Sequence, residues 1–204
     1  MDIKLLMKEL HFMQQSYASL FSVVNKVQTR GDEYLEMLTS RQHMTLIAIA
    51  HLPMEDTILM NIAKKLGTTK QTANKLISSL AKKGYVHTVP SKLDKRAINI
   101  EITLEGKKAL ISCSERSTYF LADMFHEFTT EEVETFWRLL QKLYRFDGEE
   151  QDGFEEKAHL KVEDQAQSIS DDYEEKIMAE FSKRRYGSAD DEKYALSKSK
   201  RNRG

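Results

Sequence analysis

A single cysteine, Cys113, in 204 residues leaves no partner for an intramolecular disulfide and no thiolate set for a cysteine-based zinc site. It suits a reducing compartment. No apolar run approaches the ~18 residues of a membrane span, and the N-terminal MDIKLLMKEL carries acids and no small-residue cleavage pattern. Neither a spanning helix nor a signal peptide is expected, and the expected location is the cytoplasm. The histidines His11, His43, His51, His87, His126 and His159 are scattered without a His-x-x-x-His pair, which speaks against a metal site. Neither a Gly-rich phosphate loop nor a nucleophile with a neighbouring base can be read, so neither a cofactor nor an enzymatic activity is expected. Charge of one sign is also not in excess: 31 Lys and Arg against 32 Asp and Glu give a formal net charge of −1. The whole-chain balance therefore does not point to nucleic acid, and the distribution of charge has to decide.

That distribution is segregated. Within residues 64–96 stand Lys64, Lys65, Lys70, Lys75, Lys82, Lys83, Lys92, Lys95 and Arg96 against the single acid Asp94. The same region carries a recognisable order of elements. Ile58, Ile62 and Leu66 recur at four-residue spacing and end at Gly67, which predicts a short helix closed by a left-handed glycine. Beyond the turn, Ala73, Leu76, Ile77 and Leu80 fall at i, i+3, i+4 and i+7, with Thr69 as N-cap and Gly84 as stop. The opposite face then presents Gln71, Asn74, Lys75 and Ser78, side chains able to hydrogen-bond base edges or phosphates. YVHTVP, SKLDKR and AINIEIT read as strand, charged turn and strand. Helix, turn, basic helix and charged hairpin in this order predict a winged helix-turn-helix, with double-stranded DNA as partner. The expected contacts are Thr69, Lys70, Gln71, Thr72, Asn74 and Lys75 from the helix and Lys92, Asp94, Lys95 and Arg96 from the wing, with Lys83 on phosphate.

The surrounding chain supplies helices. Ile3, Leu6, Leu10, Met13, Tyr17, Leu20, Val24 and Val27 alternate three- and four-residue steps, a narrow seam suited to a long helix lying along another. A helix over about 39–52 ends at Pro53. Leu104 opens a further long helix in which Leu110, Cys113, Phe120, Met124 and Phe128 recur, although SCSERST is a polar interruption. Thr129 and Glu132 form a capping box ahead of Val133, Phe136, Trp137, Leu140, Leu143 and Tyr144. The fold class is thus mainly α with a small β-wing: a winged helix-turn-helix plus a helical dimerisation layer. The long apolar faces lack partners in a monomer, and a homodimer buries them most simply. Residues 1–146 make this domain. Residues 147–204 form a charged extension, acidic and without sustained period at first, expected to be disordered apart from a short helix over 170–186, and basic over 193–203.

With helices flanking a winged helix, residues 3–146 resemble the multiple-antibiotic-resistance regulator (MarR) family of bacterial transcription factors. The most specific stretch is LGTTKQTANKLISSLAKKGYVHTVPSKLDKRAINIEITLEGKKAL, with its recognition helix, its wing bearing the Asp-x-Arg signature at Asp94 and Arg96, and a Leu-Thr-x-x-Gly-like opening of the next helix. The resemblance implies that Arg96 enters the minor groove while Asp94 holds its guanidinium, in keeping with the preference of Arg for narrow, electronegative grooves. It implies a homodimeric, sequence-specific regulator, a repressor, on a pseudo-palindromic operator, associated with the nucleoid when bound. It also implies control by a small aromatic or anionic effector near Phe12, Ser16, Tyr17, His43 and Phe120. The chain departs from redox-sensing members, whose reactive cysteine lies in the N-terminal helix; Cys113 sits on an apolar helical face and reads as a buried thiol. The extension beyond Asp147 has no counterpart in the typical member. The alternative function is a protein-interaction module built on the winged helix and the charged tail.

Overall fold

The computed structural model describes residues 2–91, 96–148, 154 and 171–187. Helix α1 (Ile3–Leu35) starts with the Asp2 side chain accepting from the Lys4 amide. It runs past the end of the seam at Val27 and includes Gly31, which is buried where α1 meets the start of the next helix. Helix α2 (Ser40–Ala50) opens on a full capping box, with Thr39 and Gln42 each bonded to the other's backbone. A short 3-10 turn at Met54–Asp56 leads into α3 (Leu59–Lys65) and α4 (Lys70–Lys82). Gly67, at φ +59°, and Gly84, at φ +75°, end these two helices in the left-handed region.

Strands β1 (Val86–Pro90) and β2 (Ile98–Ile102) pair antiparallel, with Val86 opposite Ile102 and Pro90 opposite Ile98. A single bridge between Ile58 and Asn99, and the Ile100 amide donating to Thr57 O at 2.9 Å, tie the hairpin to the entry of α3. Helix α5 (Leu104–Met124) is capped by Thr103, whose hydroxyl accepts from the Gly106 amide. Its polar middle does not break it. Ser114, Ser117 and Thr118 hydroxyls turn back onto carbonyls three or four residues earlier, at 2.7–2.9 Å, and so satisfy themselves within the helix. Helix α6 (Thr130–Tyr144) carries the expected Thr129–Glu132 capping box.

The core lies between the winged lobe and the long helices: Leu46 and Ile49 of α2, Ile62 of α3, Ile77 and Leu80 of α4, Val86 and Ile100 of the wing, and Leu110 and Cys113 of α5. Cys113 is 1 % exposed, and burial pushes its thiol pKa up, which leaves it a packed apolar group rather than a reactive one. None of the residues of α6 is buried, and the N-terminal half of α1 exposes its seam to solvent.

A last helix, α7 (Asp171–Tyr186), packs along α5. Ile177 and Arg185 are buried there. Tyr173 and Tyr119 donate to the two oxygens of Glu115 at 2.8 and 2.9 Å, and these two bonds hold the Glu115 carboxyl below its ordinary range. Arg184 pairs with Asp123 at 2.8 Å, which also accepts from the Tyr34 hydroxyl of α1, and Arg185 donates to the carbonyl of Phe128. Among the described residues no helix is long and apolar enough to cross a membrane, and no group of three or more His, Cys, Asp or Glu could hold a metal ion.

Candidate nucleic-acid interface

The geometry of α4 follows from its cap. Thr69 is extended, its Oγ1 accepts from the Thr72 amide at 3.2 Å, and the two threonine hydroxyls lie 3.0 Å apart. Ala73, Ile77 and Leu80 are buried, and this pins the helix so that Lys70, Gln71, Asn74, Lys75 and Ser78 face solvent. The free amides and positive dipole end of α4 open on the same side as Lys70 and Gln71, an arrangement suited to phosphate. Thr72 is half-buried, with its hydroxyl beside that of Thr69. Arg96 is exposed at the turn before β2. The other expected wing contacts, Lys92, Asp94 and Lys95, lie outside the described residues.

Lys83 has partners within the fold. Its ammonium donates to Met37 O and to Gln42 Oε1, each at 2.9 Å, while Gln42 Nε2 donates to Ser79 Oγ at 2.8 Å. Lys83 therefore ties the C-terminal end of α4 to the start of α2. Lys83→Ala is expected to lower stability by about 1 to 2 kcal/mol through loss of these charged hydrogen bonds. Thermal unfolding reads that loss, and the salt dependence of any duplex binding should be unchanged; a flatter salt slope with wild-type melting would reverse the assignment.

The residues expected around an effector are not brought together. Phe12, Ser16 and Tyr17 are exposed on the N-terminal half of α1. His43 is buried in α2, where desolvation lowers its pKa, and Phe120 of α5 packs on Tyr34 with ring centroids 5.2 Å apart. A different hollow is formed instead. A cleft of about 530 Å³ lies between α1, α2, the α3–α4 turn and the end of α6, with Val23, Val27, Met44 and Leu66 among its apolar walls. Among the described residues Arg41 and Lys65 are its charged lining, and Thr72 and Leu76 of α4 border it. Composition and local period could not reveal this site, because its walls come from segments far apart in sequence.

A helix-turn-helix followed by a two-stranded wing, with a polar and basic second helix exposed, defines a winged-helix fold of the kind that nucleic-acid-binding proteins use. Residues 38–97, from the loop before α2 to the wing, match the model of the MarR family. Over these residues the chain is similar to that family of winged helix-turn-helix transcriptional regulators. It is 26 % identical over 138 residues, 67 % of this chain and 93 % of the relative, to the uncharacterised HTH-type transcriptional regulator YsmB of Bacillus subtilis strain 168. Its fold is similar to that of MepR of S. aureus in complex with DNA (TM-score 0.55, 25 % identity, covering 62 % of this chain and 95 % of that one). It is also similar to CouR of Rhodococcus jostii RHA1 bound to p-coumaroyl-CoA (TM-score 0.54, 20 % identity, covering 61 % and 88 %).

Proposed function

We propose that the protein is a homodimeric, sequence-specific DNA-binding regulator, a repressor, that reads a pseudo-palindromic operator with α4 in the major groove and the wing beside it. The observation that carries this is the exposed face of α4, where Gln71 and Asn74 stand between Lys70 and Lys75 on a helix locked from behind by Ala73, Ile77 and Leu80. Gln and Asn pair bidentately with adenine, and the lysines supply phosphate or guanine contacts. Thr69 and Thr72, as cap and first-turn hydroxyls, position the N-terminus against the backbone. At the wing, Arg96 takes the minor groove, with Lys92, Asp94 and Lys95 around it in the sequence. MepR, a relative in fold, was solved on DNA, which supports this reading. Selecting duplexes from a random pool with the purified full-length protein tests it: an enriched inverted repeat is expected, and recovery of no preferred sequence would refute it in favour of a protein-docking winged helix.

Readout and positioning separate by mutation. Arg96→Ala should weaken operator binding by about 1 to 3 kcal/mol, and Gln71→Ala or Asn74→Ala should relax base preference. Lys75→Ala should weaken all duplexes and reduce the slope of log K against log salt by about 1. Affinities for the selected operator and a scrambled duplex check this. An Arg96→Ala protein with unchanged affinity for both would remove the wing from the interface.

The regulator is further proposed to respond to a small aromatic or anionic molecule in the cleft of α1, α2 and the α3–α4 turn. CouR, a relative in fold, was solved with p-coumaroyl-CoA. Because Thr72 and Leu76 border the cleft from α4 itself, a bound molecule there would bear directly on the angle of the reading helix.

A further inference from the structure

Helix α7 is fastened at both of its ends. Near its start the Tyr173 hydroxyl donates to Glu115 Oε2 at 2.8 Å; near its end Arg184 Nη1 donates to Asp123 Oδ2 at 2.8 Å, and Arg185 donates to the Phe128 carbonyl. These anchors stand roughly three turns, about 16 Å, apart along the helix, so α7 cannot slide along α5 without breaking one of them. The bonds do not stop at α5. Asp123 Oδ2 also accepts from the Tyr34 hydroxyl of α1 at 2.5 Å, a bond that pushes the Tyr34 pKa up and keeps the phenol a donor. One carboxylate oxygen thus joins three helices. Arg184 is itself steadied by Glu180, at 2.9 Å from its Nε, and by the Tyr119 ring, whose centre lies 4.9 Å from the guanidinium. Among the described residues of α7, Ile177 is the one buried apolar side chain. Directional polar contacts therefore set where α7 lies.

We infer that α7 is a clasp that fixes the angle between α1 and α5, and that Tyr34, Asp123 and Arg184 thereby set the half-site spacing the protein accepts on a duplex. This rests on the reading of the protein as a dimer with α4 in the major groove. The shape of α1 gives the clasp its leverage. Its C-terminal end joins the winged lobe, where Leu35 is buried and Glu36 pairs with Arg116 of α5 at 2.5 Å, while its exposed seam lies far from that end. The join is narrow. Glu36, at φ +49° and ψ −57°, reverses the chain in a single residue, with the Met37 amide donating back to Leu35 O at 2.5 Å, a sparsely populated γ-turn. Side chains therefore supply the bracing. On the α2 side Asp32 and Gln28 accept from the Ser40 amide and hydroxyl. On the α5 side the Tyr34 ring rests on Phe120 and its hydroxyl on Asp123, which Arg184 holds. From Tyr34 to Met13 the helix runs ~30 Å. A swing of ~6° about the Tyr34 end moves Met13 by ~3 Å, close to the rise of one base pair.

Two measurements on the full-length protein test the inference. The first is amide hydrogen exchange without DNA. Arg184→Gln should speed exchange about 5- to 10-fold across α7 and at residues 31–35 of α1, the scale of one partly exposed charged bond. Tyr34→Phe, which leaves every side chain of α7 in place, should speed it at residues 31–35. Lys183→Gln, the same loss of charge on a side chain 72 % exposed, should exchange as wild type. The second is binding to duplexes that carry the selected inverted repeat with its spacer lengthened or shortened by one base pair. Wild-type protein should prefer the selected spacing by about 10-fold or more, and Arg184→Gln and Tyr34→Phe should each lower that preference at least about 3-fold while keeping the preference for half-site bases. Unchanged exchange in Arg184→Gln, or faster exchange in α7 alone, would show that α7 does not brace α1. Unchanged spacing preference in variants whose α1 exchange has risen would show that the brace does not reach the DNA. Any of these overturns the inference. A wild-type protein that selects no inverted repeat would refute the proposed function, and the spacing with it, whereas the clasp on α1 is decided by exchange alone.

Discussion

Gly106→Ala is expected to cost about 3 kcal/mol or more, the upper part of the range for forcing an atom into filled space. For a chain of this size that lowers the unfolding midpoint by roughly 6–12 °C. The cause is backbone geometry rather than glycine flexibility. A Cβ at Gly106 would lie 2.1 Å from the Tyr85 carbonyl oxygen and 2.8 Å from Ile102 Cγ2. That carbonyl is not free to withdraw, because it accepts from the Thr103 amide at 3.0 Å, while the Thr103 hydroxyl donates to Gly84 O at 2.6 Å. The turn that ends α4, the entry to β1 and the first turn of α5 are therefore clamped in one place. Moving Tyr85 to admit a methyl group would tilt β1 and carry the wing with it, so duplex affinity should fall even below the melting transition. Gly31→Ala provides the contrast: its Cβ would meet the Ser40 hydroxyl at 2.4 Å, a group that can rotate away at the cost of its bond to Gln28 O. A loss of about 1 kcal/mol is expected there. Calorimetric melting of both variants checks the pair. Wild-type melting of Gly106→Ala would show that the Tyr85 carbonyl is not fixed against α5.

What could be read beforehand follows the range of the interactions involved. The caps of α4 and α6 and the alternating faces of α4 depend on residues three or four apart, so TTKQTANKL and TTEEVETFW carry their own instructions. Gly106 was visible only as part of a motif; its reason, the carbonyl of Tyr85 beneath it, needs the hairpin folded back. The partners of Lys83 were out of reach for the same cause. In the sequence it is one more basic residue, and only the arrival of Met37 and Gln42, 46 and 41 positions away, gives its ammonium these hydrogen-bond partners. The aromatic residues of α1 invited an effector site, but nothing local to α1 says how it lies across α2. The observed cleft borders the C-terminal half of that helix, at Val23 to Gln28, and its cations Arg41 and Lys65 and the ring of Phe154 come from three other segments. The polar interruption SCSERST likewise lost its force once its hydroxyls could bond within α5.

Leu10→Glu with Met13→Glu is expected to leave the protein monomeric at micromolar concentration and to weaken operator binding by at least about 100-fold. The seam of α1 is the reason. Leu10 is 55 % exposed, Met13 62 % and Tyr17 66 %, on a helix whose regular three- and four-residue apolar spacing is built to lie along another helix. Helix α6 repeats the situation, with Phe136, Leu139 and Leu143 exposed and no residue buried. Contiguous apolar faces of this length on two helices mark an association surface, and a two-fold arrangement lets one copy's faces cover the other's. Two carboxylates placed in such a surface would each lose several kcal/mol of hydration without a cationic partner, and about 2.7 kcal/mol already corresponds to 100-fold in affinity. Because both positions are open to solvent within one copy, the winged lobe should melt as an intact fold, which circular dichroism would register. Met60→Glu, on the exposed side of α3 at 64 %, should sediment as wild type. A dimer reads two half-sites together, so dissociation should remove the advantage of an inverted repeat over a single half-site, and binding to the two should become equal per site. Sedimentation of the Leu10→Glu, Met13→Glu protein at wild-type mass would show that the seam of α1 meets something other than a second copy of this chain.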